Sequence, residues 1–376
     1  MKVHSGLNPV YNHSIMPRTI IGSQTFKGRG SRSNLAGRFD STRIEQADDG
    51  WYREEVPESV HETVLPDRAK SIITTNNSPD VGFEQSINPY RGCSHGCIYC
   101  FARPTHSYLG LSPGLDFETK LFYKDNAVKL LEQELGRRSY VCKTIALGIN
   151  TDGYQPLEKR MEVTRGILAL LARCRHPLTI VTKSALVVRD LDLLADLARD
   201  RLVSVMVSMT SLQNDIKRTL EPRTASPQAR LRIIQQLSAA GVAVGVLVAP
   251  VIPAITDHEM EDILAAAKEA GAGSAGYVLL RLPHEVKTLF RDWLAEHYPD
   301  RAKHVMSLIN QARGGKDYDS EFGTRMKGTG AYAELLRTRF ELAKRKLGLD
   351  DAEGRHELRT DLFQPPSNQP QLSLGF

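Results

Sequence analysis

The sequence predicts an α/β fold, a partial barrel of six strand–helix units followed by a helical extension and flexible termini. Three observations carry that expectation. Six short apolar runs rich in β-branched residues recur between residues 83 and 281. Stretches with apolar side chains at helical spacing separate them, and after residue 284 only the helical period remains. Apolar runs alternating with amphipathic helices imply parallel strands joined by right-handed crossovers. Six units make a partial barrel rather than a closed eightfold one.

Residues 1–80 precede this pattern. From 16 to 43 the chain is rich in Gly and Ser and carries Arg18, Lys27, Arg29, Arg32, Arg38 and Arg43 against Asp40 alone. So little apolar content predicts a flexible basic arm, suited to contacting phosphates or simply solvated. Residues 45–80 are mixed and acidic, with Trp51 and Tyr52, and are expected to wrap against the core. The repeating core spans 81–283. Its first strand, 83–88, runs into a cysteine-rich loop, and helix 124–136 follows with Val128, Leu131 and Leu135 on one face. Strand 144–149, helix 162–175, strand 178–182 and the Leu-rich helix 190–199 come next. Strand 202–209, helix 227–240 ended by Gly241, strand 242–249, helix 257–270 capped at Gly271 and strand 275–281 complete the six units. Helices are expected at 284–297, 301–313 and 330–346, an extension over 284–347 that closes one edge of the barrel. Residues 348–376 read as a flexible tail.

Composition bounds the function. At 376 residues, 41% hydrophobic and 25% charged, the chain resembles a soluble globular protein of one large or two modest domains. No apolar run approaches a membrane span and the N-terminus shows no signal-peptide pattern, so no membrane partner is expected. Only five cysteines occur, three of them clustered, which points to a reducing, cytoplasmic setting. A net charge of +5 is too mild to argue nucleic-acid binding by itself.

The cluster lies in NPYRGCSHGCIYC at 88–100, where Cys93, Cys97 and Cys100 stand at C-x3-C-x2-C with Tyr99 before the last. Three close thiolates can hold three irons of a [4Fe–4S] cubane and leave the fourth iron open to another ligand. A zinc site is the alternative, completed by His95 or, with less steric difficulty, His106.

In a parallel β/α barrel the reacting groups gather at the carboxyl ends of the strands. Here those ends carry NTDGYQPLE at 150–158, TKS at 182–184, VSMT at 207–210 and LR at 280–281, polar where packing would favour apolar residues. The C-x3-C-x2-C loop resembles the signature of the radical S-adenosylmethionine (SAM) superfamily. Together with TDGYQPLE, TKS and LEPRT at 220–224 it resembles, more closely, the spore photoproduct lyase relatives often labelled DNA repair photolyases. The resemblance covers roughly 83–283 and implies the six-unit radical SAM barrel. It implies that Cys93, Cys97 and Cys100 ligate a [4Fe–4S] cluster whose open iron takes SAM. It places Thr151, Asp152, Lys183 and Ser208 at SAM contacts, with Glu158 and Glu221 holding the SAM amino group or the loop. It further implies an electron donor such as flavodoxin or ferredoxin, and reductive SAM cleavage to a 5′-deoxyadenosyl radical. Nucleic acid is the expected substrate, for repair or base modification, with Arg281, Tyr154 and Arg223 as substrate contacts. The alternatives are modification of a protein or metabolite, or a non-catalytic, metal-stabilised nucleic-acid-binding protein.

One departure stands out. Spore photoproduct lyases carry a hydrogen-donating Cys at the end of strand 2, where this chain reads Leu147-Gly148-Ile149-Asn150. Cys142 and Cys174 fall elsewhere, so a different substrate is expected. Separately, the tail ends QLSLGF at 371–376. Gln371, Leu372, Leu374 and Phe376 match the form of peptides that dock into bacterial sliding clamps, with Leu and Phe filling apolar pockets.

Overall fold

The computed structural model describes residues 28–31, 34–40, 61–350 and 357–366. The six expected strands all form: β3 (Gln85–Ile87), β6 (Ile145–Leu147), β7 (Leu178–Thr182), β8 (Val203–Met209), β9 (Ala243–Val251) and β10 (Ser274–Leu279). They pair in chain order and every pair among them is parallel. Near-continuous apolar runs fit this, because a parallel strand covered by crossover helices is buried on both faces.

Alternation along the strands sorts the side chains. Val203, Val205, Val207 and Met209 of β8 join the main core against the helices, as do Leu178 and Ile180 of β7. Successive side chains point to opposite faces, so Ser204, Met206 and Ser208 face the barrel interior, and Thr179 and Val181 do likewise. Met206 Sδ lies 3.9 Å from Ser274 Oγ, and a Cβ at Gly245 would meet both. Met206, Gly245 and Ser274 therefore pack closely across three neighbouring strands on that face.

The described part of the N-terminal region is more ordered than a flexible arm. Strand β2 (Ile73–Thr75) adds to the sheet antiparallel to β3. Strand β1 (Thr63–Pro66) joins β4 (Tyr90–Arg91) and β5 (Lys120–Tyr123) in a second, three-stranded sheet. Two of the basic arm's arginines are also committed to carboxylates, Arg29 to Glu62 and Arg38 to Glu285. A free phosphate-binding arm is thus corrected for these two residues; Arg18, Lys27, Arg32 and Arg43 lie outside the described residues. The flexible tail is corrected in part as well. Residues 357–366 pack back on the core, with Phe363 against Tyr140 and His176 and Gln364 N–H donating to Cys174 O at 2.8 Å. The clamp-like peptide at 371–376 lies outside the described residues.

The extension closes the barrel's open side. After helices Val286–His297 and Ala302–Gln311, the loop 314–329 runs beside β10, with Leu279 N–H donating to Met326 O at 2.9 Å. The same loop reaches the β2–β3 hairpin at the opposite sheet edge. Arg325 pairs with Asp80 there and donates to Ser78 Oγ at 2.6 Å, while Gly323 N–H donates to Asp80 at 2.6 Å. Two sheet edges that cannot pair with one another are joined by an ion pair. Helix Gly330–Leu347 then covers β10, with Phe340 against Tyr277. No helix among the described residues is long and apolar enough to cross a membrane.

Candidate functional site

The cysteine loop leaves β3 at the carboxyl end of the sheet. Gly92 and Gly96 both adopt left-handed φ, +74° and +72°. A Cβ at Gly92 would come within 2.9 Å of Phe117 O, and one at Gly96 within 2.8 Å of the Glu118 carboxylate, so only glycine turns the chain there. Cys93 is buried, Cys97 and Cys100 are half-buried, and none is in a disulfide. Burial pushes all three thiols up, so their ionised form needs a compensating cation, as a metal centre supplies. Ser94 Oγ, between the first two cysteines, is buried without a hydrogen-bond partner among the described residues. A buried hydroxyl of that kind fits a loop that encloses a further group.

The residues present suit a cluster better than a single ion. Zinc needs four donors around one point. Among the described residues no three of His, Cys, Asp and Glu converge on one point. His106 is turned away into the aromatic rings of Phe117 and Phe122, with Nε2 2.9 Å from Lys120 O. His95 Nδ1 lies 3.5 Å from Asp152, and burial lowers its pKa to about 4. A cubane distributes its thiolates over separate irons and makes no such demand.

Buried charges hold the loop from beneath. Arg103, three residues past the last cysteine, has no exposed side chain. Its guanidinium donates to Cys97 O at 2.9 Å, Gly96 O at 3.3 Å, Gly114 O at 2.9 Å and Pro113 O at 3.2 Å, and pairs with buried Glu118 at 2.5 Å. The N-terminal strap completes Glu118, with Gly30 N–H and Ser31 N–H donating at 3.0 and 2.8 Å. Gly30 sits so close that a Cβ would lie 1.9 Å from Gly96 O. Neither Arg103 nor Glu118 was evident from the sequence, where the only signal is an arginine in the turn after the last cysteine.

The TDGYQPLE segment after β6 is a clasp for the same loop. Thr151 Oγ1 donates to Tyr90 O at 3.2 Å. Buried Gln155 accepts from Ser94 N–H at 3.0 Å and donates to Gly92 O at 3.1 Å, stapling the backbone on both sides of Cys93. Asp152 accepts from Tyr154 N–H, Thr182 Oγ1 and Lys183 N–H at 2.8 to 3.0 Å, tying the end of β6 to the end of β7. Glu158, fully buried, takes the Tyr90 hydroxyl, Thr164 N–H at 2.9 Å and Arg189 at 2.7 Å. Of the two roles expected for Glu158, these contacts supply the one that holds the loop. Thr151 and Asp152 stand at the strand end as expected, with their oxygens already engaged inside the protein.

A second network fixes Tyr99. Its hydroxyl bonds to Glu221, which also pairs with Arg230 and lies 2.7 Å from Thr210 Oγ1. Burial would raise the Glu221 carboxyl, but Arg230, Lys183 and the Tyr99 hydroxyl together hold it at about 2. Glu221 is therefore a loop-holding anion. Lys183, at the end of β7, places Nζ 3.3 Å from Ala249 O and 3.9 Å from Glu221, near the Tyr99 ring. Arg230 pairs directly with Glu221, and Lys183 stands at the edge of that pair. Ser208 follows on the interior face of β8, its carbonyl held by Arg230 at 2.9 Å.

The three expected substrate contacts separate. Tyr154 is 0% exposed within the main core and offers no surface to a substrate, so its expected contact is corrected to a core aromatic. Arg223 pairs with Glu62 at the strap, and its N–H donates to His95 O at 3.2 Å. Arg281, beyond β10, lies over the Phe101 ring at 5.1 Å and donates to Tyr318 Oη at 3.2 Å. Among the described residues it has no carboxylate partner, and its buried Nε has no hydrogen-bond partner.

Comparison with known proteins agrees with this geometry. The family described as the radical SAM superfamily matches residues 87–267. An uncharacterized protein of Mycobacterium tuberculosis is 42% identical over 237 residues, covering 62% of this chain and 70% of its own length. One from Methanocaldococcus jannaschii is 27% identical over 196 residues, covering 52% and 70%. Among solved structures, a spore photoproduct lyase complexed with dinucleoside spore photoproduct superposes with a TM-score of 0.55 at 15% identity, covering 76% of this chain and 79% of that one. That likeness is one of fold.

Proposed function

The chain belongs to the radical SAM superfamily, and from that membership we propose that it applies its radical chemistry to nucleic acid. When bound, the [4Fe–4S] cluster and SAM supply a reductively generated 5′-deoxyadenosyl radical able to take hydrogen from an unactivated C–H bond. Cys93, Cys97 and Cys100 would hold the cluster. Lys183 would pair with the SAM carboxylate, and Ser208, facing the interior beside it, would offer a hydroxyl to SAM. Gln155, Arg103 and Glu221 keep the loop in place. A one-electron donor such as flavodoxin or ferredoxin would serve the cluster. A reducing, cytoplasmic setting suits this chemistry.

The observation that carries the nucleic-acid reading is Arg281. Its guanidinium, which has no carboxylate among the described ion pairs, lies over the ring of the residue after the last cysteine, where an anionic substrate would approach the site. The solved lyase bound to a dinucleoside photoproduct supports the same class of substrate. The lyase's own reaction is not proposed. Among the described residues Cys142 precedes β6 at its amino end, and Cys174 is buried beneath Gln364, so neither thiol stands at the strand ends to return a hydrogen atom. A base in duplex DNA would have to be extruded or already distorted to reach the mouth.

The test is anaerobic reconstitution with iron and sulfide, reduction, and measurement of 5′-deoxyadenosine with and without DNA or RNA oligonucleotides. Stimulation by nucleic acid is expected; stimulation only by peptides or metabolites would refute the reading. Lys183→Met is expected to raise KM for SAM about 10- to 100-fold, the loss of one charged hydrogen bond, with kcat less affected. An unchanged KM would remove Lys183 from the SAM site.

A further inference from the structure

Among the described residues four aromatic side chains are exposed: Phe39, Phe101, Tyr108 and Phe322. Each carries a guanidinium over its ring. Arg281 lies 5.1 Å from Phe101, Arg325 lies 4.5 Å from Phe322, and Arg38 lies 4.8 and 5.0 Å from Phe39 and Tyr108. Phe39 and Tyr108 also touch one another, ring centres 5.1 Å apart.

The pairs are neighbours. Phe101 of segment 101–109 meets Arg281 directly, and Arg38 bridges Tyr108 of the same segment to Glu285, four residues beyond Arg281. Arg281 in turn touches Tyr318 and Met326 of the loop that carries Phe322 and Arg325. The Phe101 pair therefore joins the other two, and it begins at the residue after Cys100.

We infer that this row is a stacking ledge that feeds single-stranded nucleic acid to the cysteine loop; the inference rests on the nucleic-acid reading above. Every base has a π-face, so flat aromatic rings backed by guanidinium groups grip unpaired bases whatever their sequence. Duplex bases already stack on each other and cannot use such rings. Arg281 supplies the charge for a phosphate at the middle of the row. Behind it Arg313 donates to Leu279 O, Leu280 O, Thr324 O and Arg325 O, fixing the strand end from which Arg281 projects.

The experiment is anaerobic fluorescence anisotropy on the reconstituted full chain, with a labelled mixed-sequence oligodeoxynucleotide of about 12 residues, single-stranded or annealed. Tyr108→Ala and Phe322→Ala are suitable because the rings are 70% and 57% exposed, so folding does not depend on them. The wild-type protein is expected to bind the single strand more tightly than the duplex. Each alanine variant should weaken single-strand binding about fivefold or more, with the same salt dependence, since no charge is lost. Tyr108→Phe, which keeps the ring, should bind as wild type. If wild type binds the single strand and both alanine variants match it, the ledge is refuted while the nucleic-acid reading stands. Tighter binding of the duplex refutes the ledge in the same way. If wild type binds neither strand nor duplex, both fall.

Discussion

Cys97→Ala is expected to lose the visible absorption of an iron–sulfur cluster and to stop producing 5′-deoxyadenosine, while the polypeptide still folds. The two halves of that expectation have separate causes. The loop offers three thiolates and, among the described residues, no further group placed to replace one of them. A cubane held by two cysteines has two uncovered irons and is lost or degraded. The fold, in contrast, scarcely depends on this sulfur. Cys97 is half-buried, its carbonyl rather than its side chain binds Arg103, and removing a thiol from such a position costs about 1 kcal/mol or less. Denaturant unfolding of the apo protein should therefore be nearly superimposable on wild type. Cys142→Ala and Cys174→Ala should keep both cluster and SAM cleavage, since both residues lie away from the loop. Iron content and 5′-deoxyadenosine formation retained in Cys97→Ala would show that the ligand set has been wrongly assigned.

The barrel was legible because it is written in period. Each parallel strand is an apolar run and each crossover helix has one apolar face, so the six strand positions are legible to within two residues at either end. The cysteine loop was legible because its spacing is rare and chemical. The surroundings of the loop were harder to read, for a physical reason. Thr151, Asp152 and Glu158 stand in a polar strand-end motif, and polarity there signals a site without saying whether a group faces the ligand or the backbone that carries it. Glu158 turned out to face Tyr90 and Arg189. Arg230 did leave a trace. It occupies the buried stripe of its helix with Ile233, Ile234 and Leu237, at spacings of three, four and seven, where a charge must have a partner. Glu221 is that partner. Glu118 and the strap at Gly30 left none, because their meeting spans 88 positions and depends on backbone N–H groups that every residue owns.

The second large effect falls on Arg103. Arg103→Ala is expected to destabilise the protein by about 3–5 kcal/mol, the cost of leaving one member of a buried ion pair behind. In wild type the guanidinium serves Glu118 and four carbonyls at once, all beneath the cysteine loop. Alanine leaves those carbonyls without their donor and, among the described residues, the Glu118 carboxylate with the strap's N–H groups but no ion-pair partner. Carbonyls of Gly96 and Cys97 would then turn to seek water, and the thiolates attached to that backbone would turn with them. Cluster loading should fall together with stability, which distinguishes this variant from Cys97→Ala, where only loading falls. Adding Glu118→Gln to Arg103→Ala should recover part of the lost stability, because the uncompensated charge is gone even though the carbonyls remain unpaired. Urea unfolding of both variants beside wild type, with iron content measured on the same samples, tests this directly. An Arg103→Ala protein that unfolds within about 1 kcal/mol of wild type and loads iron fully would show that the pair does not organise the loop. A double variant no better than the single would show that the carbonyls, not the charge, dominate the cost.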